Sequence, residues 1–529
     1  MRNRNMKYGS LLVLFASALS FAQQATGYVY EDTNGNRRRD RREKGIAQVA
    51  VSNGEEVVLT DQYGKYTIPV KDNQSVFVIK PKGYKTPVNE NNLPQFYYHY
   101  RPEGSPNSYE YKGIAPTGKI PSEISFPLIP QQENSRFRIM VFGDPQPYDE
   151  KELDYFRRGI VNEAKNNKQD AVLGISLGDL VGNDLSLQPK YAAVMKEMGL
   201  PWYNVMGNHD MNYEAREDQF SDETFRANFG PNTYAFNYAD VHFIVLDDIL
   251  YPDPRDGKGY WGGFREDQLK FVENDLKYVD RNKLVVVAFH IPLIHNEDDF
   301  RETDRQRLIR LLGTFPNVLM TSAHTHIQQQ IFYSKKDGWT QPLPLHEYNA
   351  GTTCGDWYSG TADETGVPQS TMRDGTERGY SHILFDGNRY DIRYKVAGKA
   401  ENYQIGLYVP KAIPDKGWNT AKILANFFMG SAKDSVLYRI DDGDWKKMTY
   451  NETMDPAYAV SVYKWDQASE LFPGRRPSDP QLSKHIWTAG FPKKLTLGKH
   501  TVDVKATDMF GKEYTATSSF EVQEKVYVP

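Results

Sequence analysis

Apolar positions along the chain fall into three regimes. From residue 23 to about 133, short runs (GYVYE, QVAVSNG, EEVVLTD, GKYTIPV, SVFVIK) alternate apolar and polar residues between Gly and Asn turns. This period-two pattern predicts an all-β, sandwich-like unit, residues 23–133, which ends in Pro-containing linker stretches. Between 134 and 398 the runs become continuously apolar: FRIMVFG, AVLGISLG, PWYNVMG, VHFIVLDD, KLVVVAFH and NVLMTSAH. Helical periodicity separates them. KELDYFRRGIVNEAKNN puts Leu153, Phe156, Ile160, Val161 and Ala164 on one face, FREDQLKFVENDL does so with Phe264, Leu269, Val272 and Leu276, and RETDRQRLIRLLGTF is a third such stretch. Strands alternating with helices predict an α/β core whose sheets are covered by helices. Alternation with Asp-Gly and Phe-Gly turns returns over 399–529, which predicts an immunoglobulin-like β domain.

The first 22 residues follow another rule. Arg2, Arg4 and Lys7 precede an apolar stretch, Leu11–Ala22, that is short for a bilayer span and ends in small residues. Residues 1–22 are therefore predicted to be a signal peptide removed before Gln23, and the protein is expected to be exported, periplasmic or at the cell surface. No later run is long enough to cross a membrane, so the mature chain is expected to carry no transmembrane segment.

Composition narrows the chemistry. With 529 residues, 39% hydrophobic and 25% charged, the chain has length for about three folded units. A net charge of −5 gives no support to a nucleic-acid partner bound through bulk charge. The single cysteine, Cys354, excludes an internal disulfide and any Cys-rich zinc site, and it reads as a buried filler. A metal centre would have to use His, Asp, Asn, Glu or Gln, a mixed N/O set that suits Mn, Zn or Fe.

Such residues recur at one kind of place. Asp144 and Gln146 follow FRIMVFG, Asp179 follows AVLGISLG, Asn208, His209 and Asp210 follow PWYNVMG, His290 follows LVVVAF, and His324 and His326 follow NVLMTSA. Strand C-termini of α/β sheets are where ligands bind. Four of the eleven histidines fall at these ends, so the coincidence of five is informative where any one alone would not be.

GDPQ, GDLVGND, GNHD, FHIP and AHTH, in that order from Asp144 to His326, resemble the motifs of the calcineurin-like metallophosphoesterases. The flanking β regions, with EYNAGTTCGDWYSG after the last motif, resemble three-domain secreted phosphoesterases of Bacteroidetes. The resemblance implies a four-layer α/β/β/α sandwich with β-sandwich-like domains on either side. It also implies a binuclear centre of two divalent transition-metal ions (Mn, Zn or Fe) that hydrolyses phosphomonoesters or phosphodiesters. By resemblance, Asp179 bridges the ions, Asp144 and His326 bind one with Gln146 beside it, and Asn208, His290 and His324 bind the other. A metal-bridging hydroxide then attacks phosphorus while His209, a catalytic non-ligand, assists the leaving group. Asn349, Asp356 and Trp357 are expected to rim the pocket and touch substrate.

Two positions depart from the family pattern. Gln146 stands where His is usual, and Gly182 stands where many relatives carry an Asp that orients the catalytic histidine, leaving Asp184 and Asp210 as substitutes. Substrates in view are small-molecule, lipid or glycan phosphoesters. The alternatives are a diesterase restricted to lipid or glycan diesters and a degenerate surface-binding protein. The loop EDTNGNRRRDRREKG, with Asp32, Asn34, Asn36, Asp40 and Glu43, has calcium-loop character set against an Asx-rich turn. DDILYPDPRDGKGYWGGFRE is read either as a lid or as an ordered loop. The sequence sets no oligomeric state.

Overall fold

The computed structural model describes residues 23–294, 298–416 and 419–525. The predicted signal peptide and His295 lie outside them. Among the described residues no helix is long and apolar enough to cross a membrane.

The central unit is built from strands β1 (Arg136–Phe142), β2 (Ala171–Leu177), β3 (Trp202–Val205), β4 (Tyr234–Tyr238), β5 (Val241–Val245), β6 (Leu284–Ala288), β7 (Val318–Ser322), β8 (Gln329–Tyr333), β9 (Leu345–Asn349), β10 (Gly379–Asp386) and β11 (Arg389–Val396). One sheet has the order β3-β2-β1-β10-β11 and the other β4-β5-β6-β7-β9-β8. β1, β2 and β3 run parallel, as do β5, β6, β7 and β9. Parallel strands buried on both faces need unbroken apolar runs, which is the pattern VHFIV, LVVVA and VLMTS show. Ile139, Val141 and Ile175 of the first sheet meet Phe243, Val286 and Ala288 of the second across a small residual void, so the sheets pack face to face.

Helices cover the outer faces. α1 (Glu150–Phe156) is capped by Asp149, whose carboxylate accepts the Glu152 N–H, and continues through a π-helical turn, Arg157–Val161, to Ala164. The predicted apolar face of Leu153, Phe156, Ile160, Val161 and Ala164 is buried as a unit, and Phe156 meets the Phe142 ring of β1 edge-on at 6.2 Å. α2 (Gln188–Met195) follows on that side, where Tyr191 stacks on Phe156. α3 (Glu266–Asp275) and α4 (Glu302–Leu312) cover the second sheet and bury Leu269, Val272, Leu308 and Ile309. This is the α/β/β/α sandwich that the resemblance implies.

Residues 23–130 form two four-stranded sheets, one ordered 65–70, 23–31, 126–130, 84–85 and the other 57–59, 50–52, 74–78, 97–100. They dock through Phe77 on Phe271 (5.6 Å), the Asn237 N–H donating to the Lys80 carbonyl (2.9 Å), and Glu133, which pairs with the buried Lys80 at 2.7 Å and accepts the Ala239 N–H at 2.8 Å. In the DTNGN loop the Asp32 carboxylate accepts the N–H groups of Gly35 and Arg37, and Glu43 accepts those of Thr33 and Asp40. The carboxylates proposed for calcium thus close an Asx-rich turn.

The C-terminal region has a four-stranded and a five-stranded sheet, but it is not all-β as expected. Helix α5 (Pro456–Asp466) interrupts it. Its cause is local: Asp455 accepts the Tyr458 N–H as N-cap, and Pro456 occupies the first turn, where a missing N–H costs nothing. The alternation in the flanking strands conceals this short helical insertion.

Candidate metal centre

Each expected ligand sits just past a strand end, and the two sheets bring these ends together. The turns are sharp. Asp144, Gln146, Asp179, His324 and His326 all have positive φ, +31°, +39°, +48°, +68° and +51°. Left-handed conformations cost a non-glycine residue roughly 1–2 kcal/mol. Five on one chemical cluster is strain placed at a functional site. Gly207 is needed here because a Cβ would come within 2.2 Å of the Asp179 nitrogen.

Asp179, His290 and His324 present ligand atoms that all lie within 4.8 Å of one another. His290 Nε2 is 3.3 Å from Asp179 Oδ2 and 3.1 Å from Asn208 Oδ1, and His324 Nδ1 is 3.2 Å from His290 Nε2. Asp144 accepts the His324 N–H, and its Oδ1 is 3.7 Å from His290 Nδ1. Gln146 N–H donates to the Asp179 carbonyl. No second group of three His, Cys, Asp or Glu ligand atoms is as close among the described residues. Asp144 touches the triad through His290 and His324, whereas neither it nor His326 belongs to such a tight group.

The donor set fits a divalent cation. His290 Nδ1 donates to the Leu177 carbonyl (2.8 Å) and His326 Nδ1 to that of Gly355 (2.7 Å), which leaves each Nε2 as the lone-pair nitrogen. Gln146 is fully buried, its Nε2 reaches Tyr148 Oη at 3.5 Å, and its Oε1 has no hydrogen-bond partner. A buried orphan acceptor in this position is the form a metal-ligating amide oxygen takes.

Electrostatics follow the same geometry. Burial works against ionising Asp179, but the facing His290 and His209 outweigh it and hold the carboxyl below its usual range. His290 is pushed up to about 10: burial opposes its charge, and Asp179 and Asp144 overcome that. Asp144 is raised, chiefly by burial. His326 falls to about 3 through burial.

The loops are held from behind. Asp210 accepts the N–H groups of Leu180, Val181 and Gly207, which locks the GDLV turn to the GNHD turn. Asp248 accepts the N–H groups of His290 and Ile291. Neither Asp184 nor Asp210 orients His209, as the sequence reading proposed. Asp184 accepts from Ser186 as a helix cap, and Asp210 is committed to backbone. Asn183 takes that role: its Oδ1 accepts from His209 Nδ1 at 2.6 Å and from Tyr213 Oη at 2.8 Å. Gly182 is glycine because the Tyr148 ring lies where a Cβ would go, 2.6 Å away.

The residues expected to touch substrate divide. Trp357 is half-buried and stacks on His326 at 4.0 Å, flanked by Arg373 and Arg475 at 5.4 and 5.6 Å from its ring. Asn349 is fully buried and bonds Ser322, Ala323 and Thr325, so it braces the AHTH turn and cannot face substrate. Asp356 is also buried; its Oδ2 accepts from Ser359 and from the Ser478 N–H, tying the core to the C-terminal region. Cys354 is buried with Sγ 3.7 Å from His326 Nδ1, and burial pushes its thiol up, as suits a filler. From the loop read as a lid, Tyr260 meets His324 edge-on at 6.1 Å. Sequence reasoning missed Asn183, Tyr148, Tyr213, Arg373 and Arg475. Only Asn183, inside GDLVGND, carried a local signal.

Comparison with known proteins identifies the family. The family model described as "Calcineurin-like phosphoesterase" matches residues 137–328, its N-terminal companion residues 32–115, and its C-terminal companion residues 347–514. No curated protein matches. Among solved structures, a purple acid phosphatase from yellow lupin (Lupinus luteus) seeds shares 13% identity, covering 66% of this chain and 67% of its own, at a TM-score of 0.37. Vps29 of Chaetomium thermophilum shares 10%, covering 73% and 100%, at 0.20. Likeness at these scores adds nothing to what the strand order shows.

Proposed function

The chain belongs to the calcineurin-like phosphoesterases and is a metal-dependent phosphoester hydrolase, and on that premise we propose that it is an exported enzyme with a two-ion centre. Asn208, His290 and His324 would hold one ion and Asp144, Gln146 and His326 the other, with Asp179 available to both. Divalent cations of the Mn, Zn or Fe class supply charge neutralisation on phosphoryl oxygens and an acidified water when bound. The chain's own residues do the rest. Asn183 accepts the His209 Nδ1–H, which orients the ring with Nε2 free to face the leaving oxygen, and the imidazolium form, protonated on both nitrogens, gives its Nε2 proton to the leaving alcohol. Asp179 Oδ1 accepts the His209 backbone N–H at 2.9 Å, so acid and ligand move as one unit. Trp357 packs His326 in place.

The observation that carries this reading is the Asp179–His290–His324 triad with Asn208, set at the C-terminal edges of both sheets. An intact donor set also weighs against a degenerate binding protein. The test is Asp179→Asn in protein loaded with Mn, Zn or Fe. Loss of a shared charged ligand should lower kcat/KM on an aryl phosphate by roughly 10³-fold or more. Activity within tenfold of the parent, with metal content unchanged, would overturn the shared-ligand assignment.

A further inference from the structure

Beside His209 lies a cavity of about 390 Å³ whose lining combines three tyrosines, Tyr111, Tyr148 and Tyr213, with three carboxylates, Glu110, Asp184 and Glu214. No Lys, Arg or His lines it among the described residues. It adjoins the site directly: the Tyr148 ring is edge-on to His209 at 5.9 Å, and Tyr213 Oη bonds the Asn183 oxygen that orients His209. Glu110 and Tyr111 come from the N-terminal region, where the Glu110 N–H donates to Glu214 at 3.0 Å. Tyr111 is pushed up to about 12, by burial first and then by the charges of Asp184 and Glu110, so these groups face one another.

The other side of the site has the opposite sign. Arg373 and Arg475 flank Trp357, which stacks on His326, and the Arg373 Nε is buried without a partner. The site is therefore polarised, with guanidinium groups on the His326 side and carboxylates with aromatic rings on the His209 side. Aromatic rings combined with anionic side chains favour an alkylammonium group through ring quadrupoles and Coulomb attraction together.

We propose that this cavity holds the leaving alcohol of the substrate and that this alcohol is a cationic amino alcohol of the choline or ethanolamine class, selected in part by the N-terminal region through Glu110 and Tyr111. The inference rests on the hydrolase reading for its orientation, because His209 must face the leaving oxygen. In the step, a water gives up one proton to solvent as its oxygen bonds to phosphorus, the ester P–O bond breaks, the alcohol departs with the proton from His209, and His209 regains a proton from solvent. A sugar or nucleoside would stack on the rings and donate hydroxyls to the three carboxylates, but it would gain no charge attraction from them.

Binding tests the cavity without turnover. Calorimetry on the full chain should show choline binding at least tenfold tighter than its neutral isostere 3,3-dimethylbutan-1-ol. The combined E110Q, D184N and E214Q substitutions should remove most of that difference, and Tyr148→Ala should weaken choline independently of them. In turnover, phosphocholine should exceed 3,3-dimethylbutyl phosphate at least tenfold in kcat/KM, or phosphatidylcholine vesicles should exceed vesicles of the matching neutral-headgroup phospholipid, and the arm that responds identifies the free ester or the lipid. Equal affinity for choline and its isostere, or indifference to headgroup charge in both turnover arms, would overturn the proposal. A protein that hydrolyses aryl phosphates but ignores choline would do so while leaving the hydrolase reading intact. One that binds choline and hydrolyses no ester would overturn that reading and keep the cavity.

Discussion

His290 and His326 are tethered alike, each through Nδ1 to a backbone carbonyl, yet they live in opposite fields. Around His290 stand Asp179 at 3.3 Å and Asp144 at 3.7 Å, with Asp248 holding its backbone nitrogen. His326 has a tryptophan on its face and a cysteine at its edge, and its proposed half joins it to Asp144 and the neutral Gln146. Burial, helped by Arg373 and His209, drives His326 down to about 3 against Asp179 and the Gly355 hydrogen bond, whereas the carboxylates carry His290 up to about 10 against burial. The half proposed for His290 is expected to be the tighter one, because the ligand atoms of Asp179, His290 and His324 already lie within 4.8 Å of one another, whereas the other half relies on the neutral Gln146 and is expected to gain or lose its ion as conditions change.

The strongest way to break this comparison is to remove one ligand from each half. His290→Ala should lower metal affinity at its half by far more than Gln146→Ala, for which a drop of roughly 10–100-fold is expected. Gln146→His should tighten the weaker half. Two-step metal titration by calorimetry measures all three, and equal losses for His290→Ala and Gln146→Ala would show the halves to be equivalent. A smaller effect is expected at His209. Asn183→Ala frees its ring while sparing every ligand, so kcat should fall roughly 10–100-fold with metal content and KM little changed. Asn183→Asp should recover most of the rate. A fall in metal content instead would place Asn183 among the ligand supports.

The smallest effect concerns the strand beneath the AHTH turn. His346 in β9 is buried between Tyr390 Oη and Gln330 Oε1, and burial lowers it from 6.5 to about 3. A folded value below the unfolded one means that the unfolded chain takes up protons first. The stabilisation is thus complete above about pH 6.5 and is lost as pH falls toward 3. At pH 5 the loss from this group is about 2 kcal/mol by the usual 1.36 kcal/mol per unit. Thermal melts at pH 7.5 and 5 should show a smaller drop for His346→Gln than for the parent. An identical drop would remove His346 from the acid-sensitive groups.

The strand ends were legible because parallel buried strands require long apolar runs, and four of the five runs stopped at a Gly or Ala before a polar donor, the fifth at Phe289 before His290. Knowing that such ends share one edge was enough to gather Asp144, Asp179, Asn208, His290 and His324. Asn183 was not legible as the residue holding His209, since Asp184 and Asp210 stood equally close along the chain. A left-handed turn at Asn183, φ +72°, selects it. Asn349 looked like a pocket residue because it follows the motifs, but register pairs it with Ser322 inside the sheet. The cavity beside His209 lay beyond local reading, because Tyr111 and Tyr213 are brought together only when the N-terminal region docks. The helix at Pro456–Asp466 was hidden by the alternating strands around it.

The five left-handed residues proposed as ligands have one more implication. Any peptide excised from these loops would relax to ordinary backbone and forfeit its donor geometry, and glycine, which would relieve the turn, carries no donor atom. The catalytic apparatus therefore cannot be transplanted motif by motif onto another scaffold. It exists only while two whole sheets hold five reluctant turns against their local preference, so mutations far away in those sheets should reach chemistry before they reach solubility.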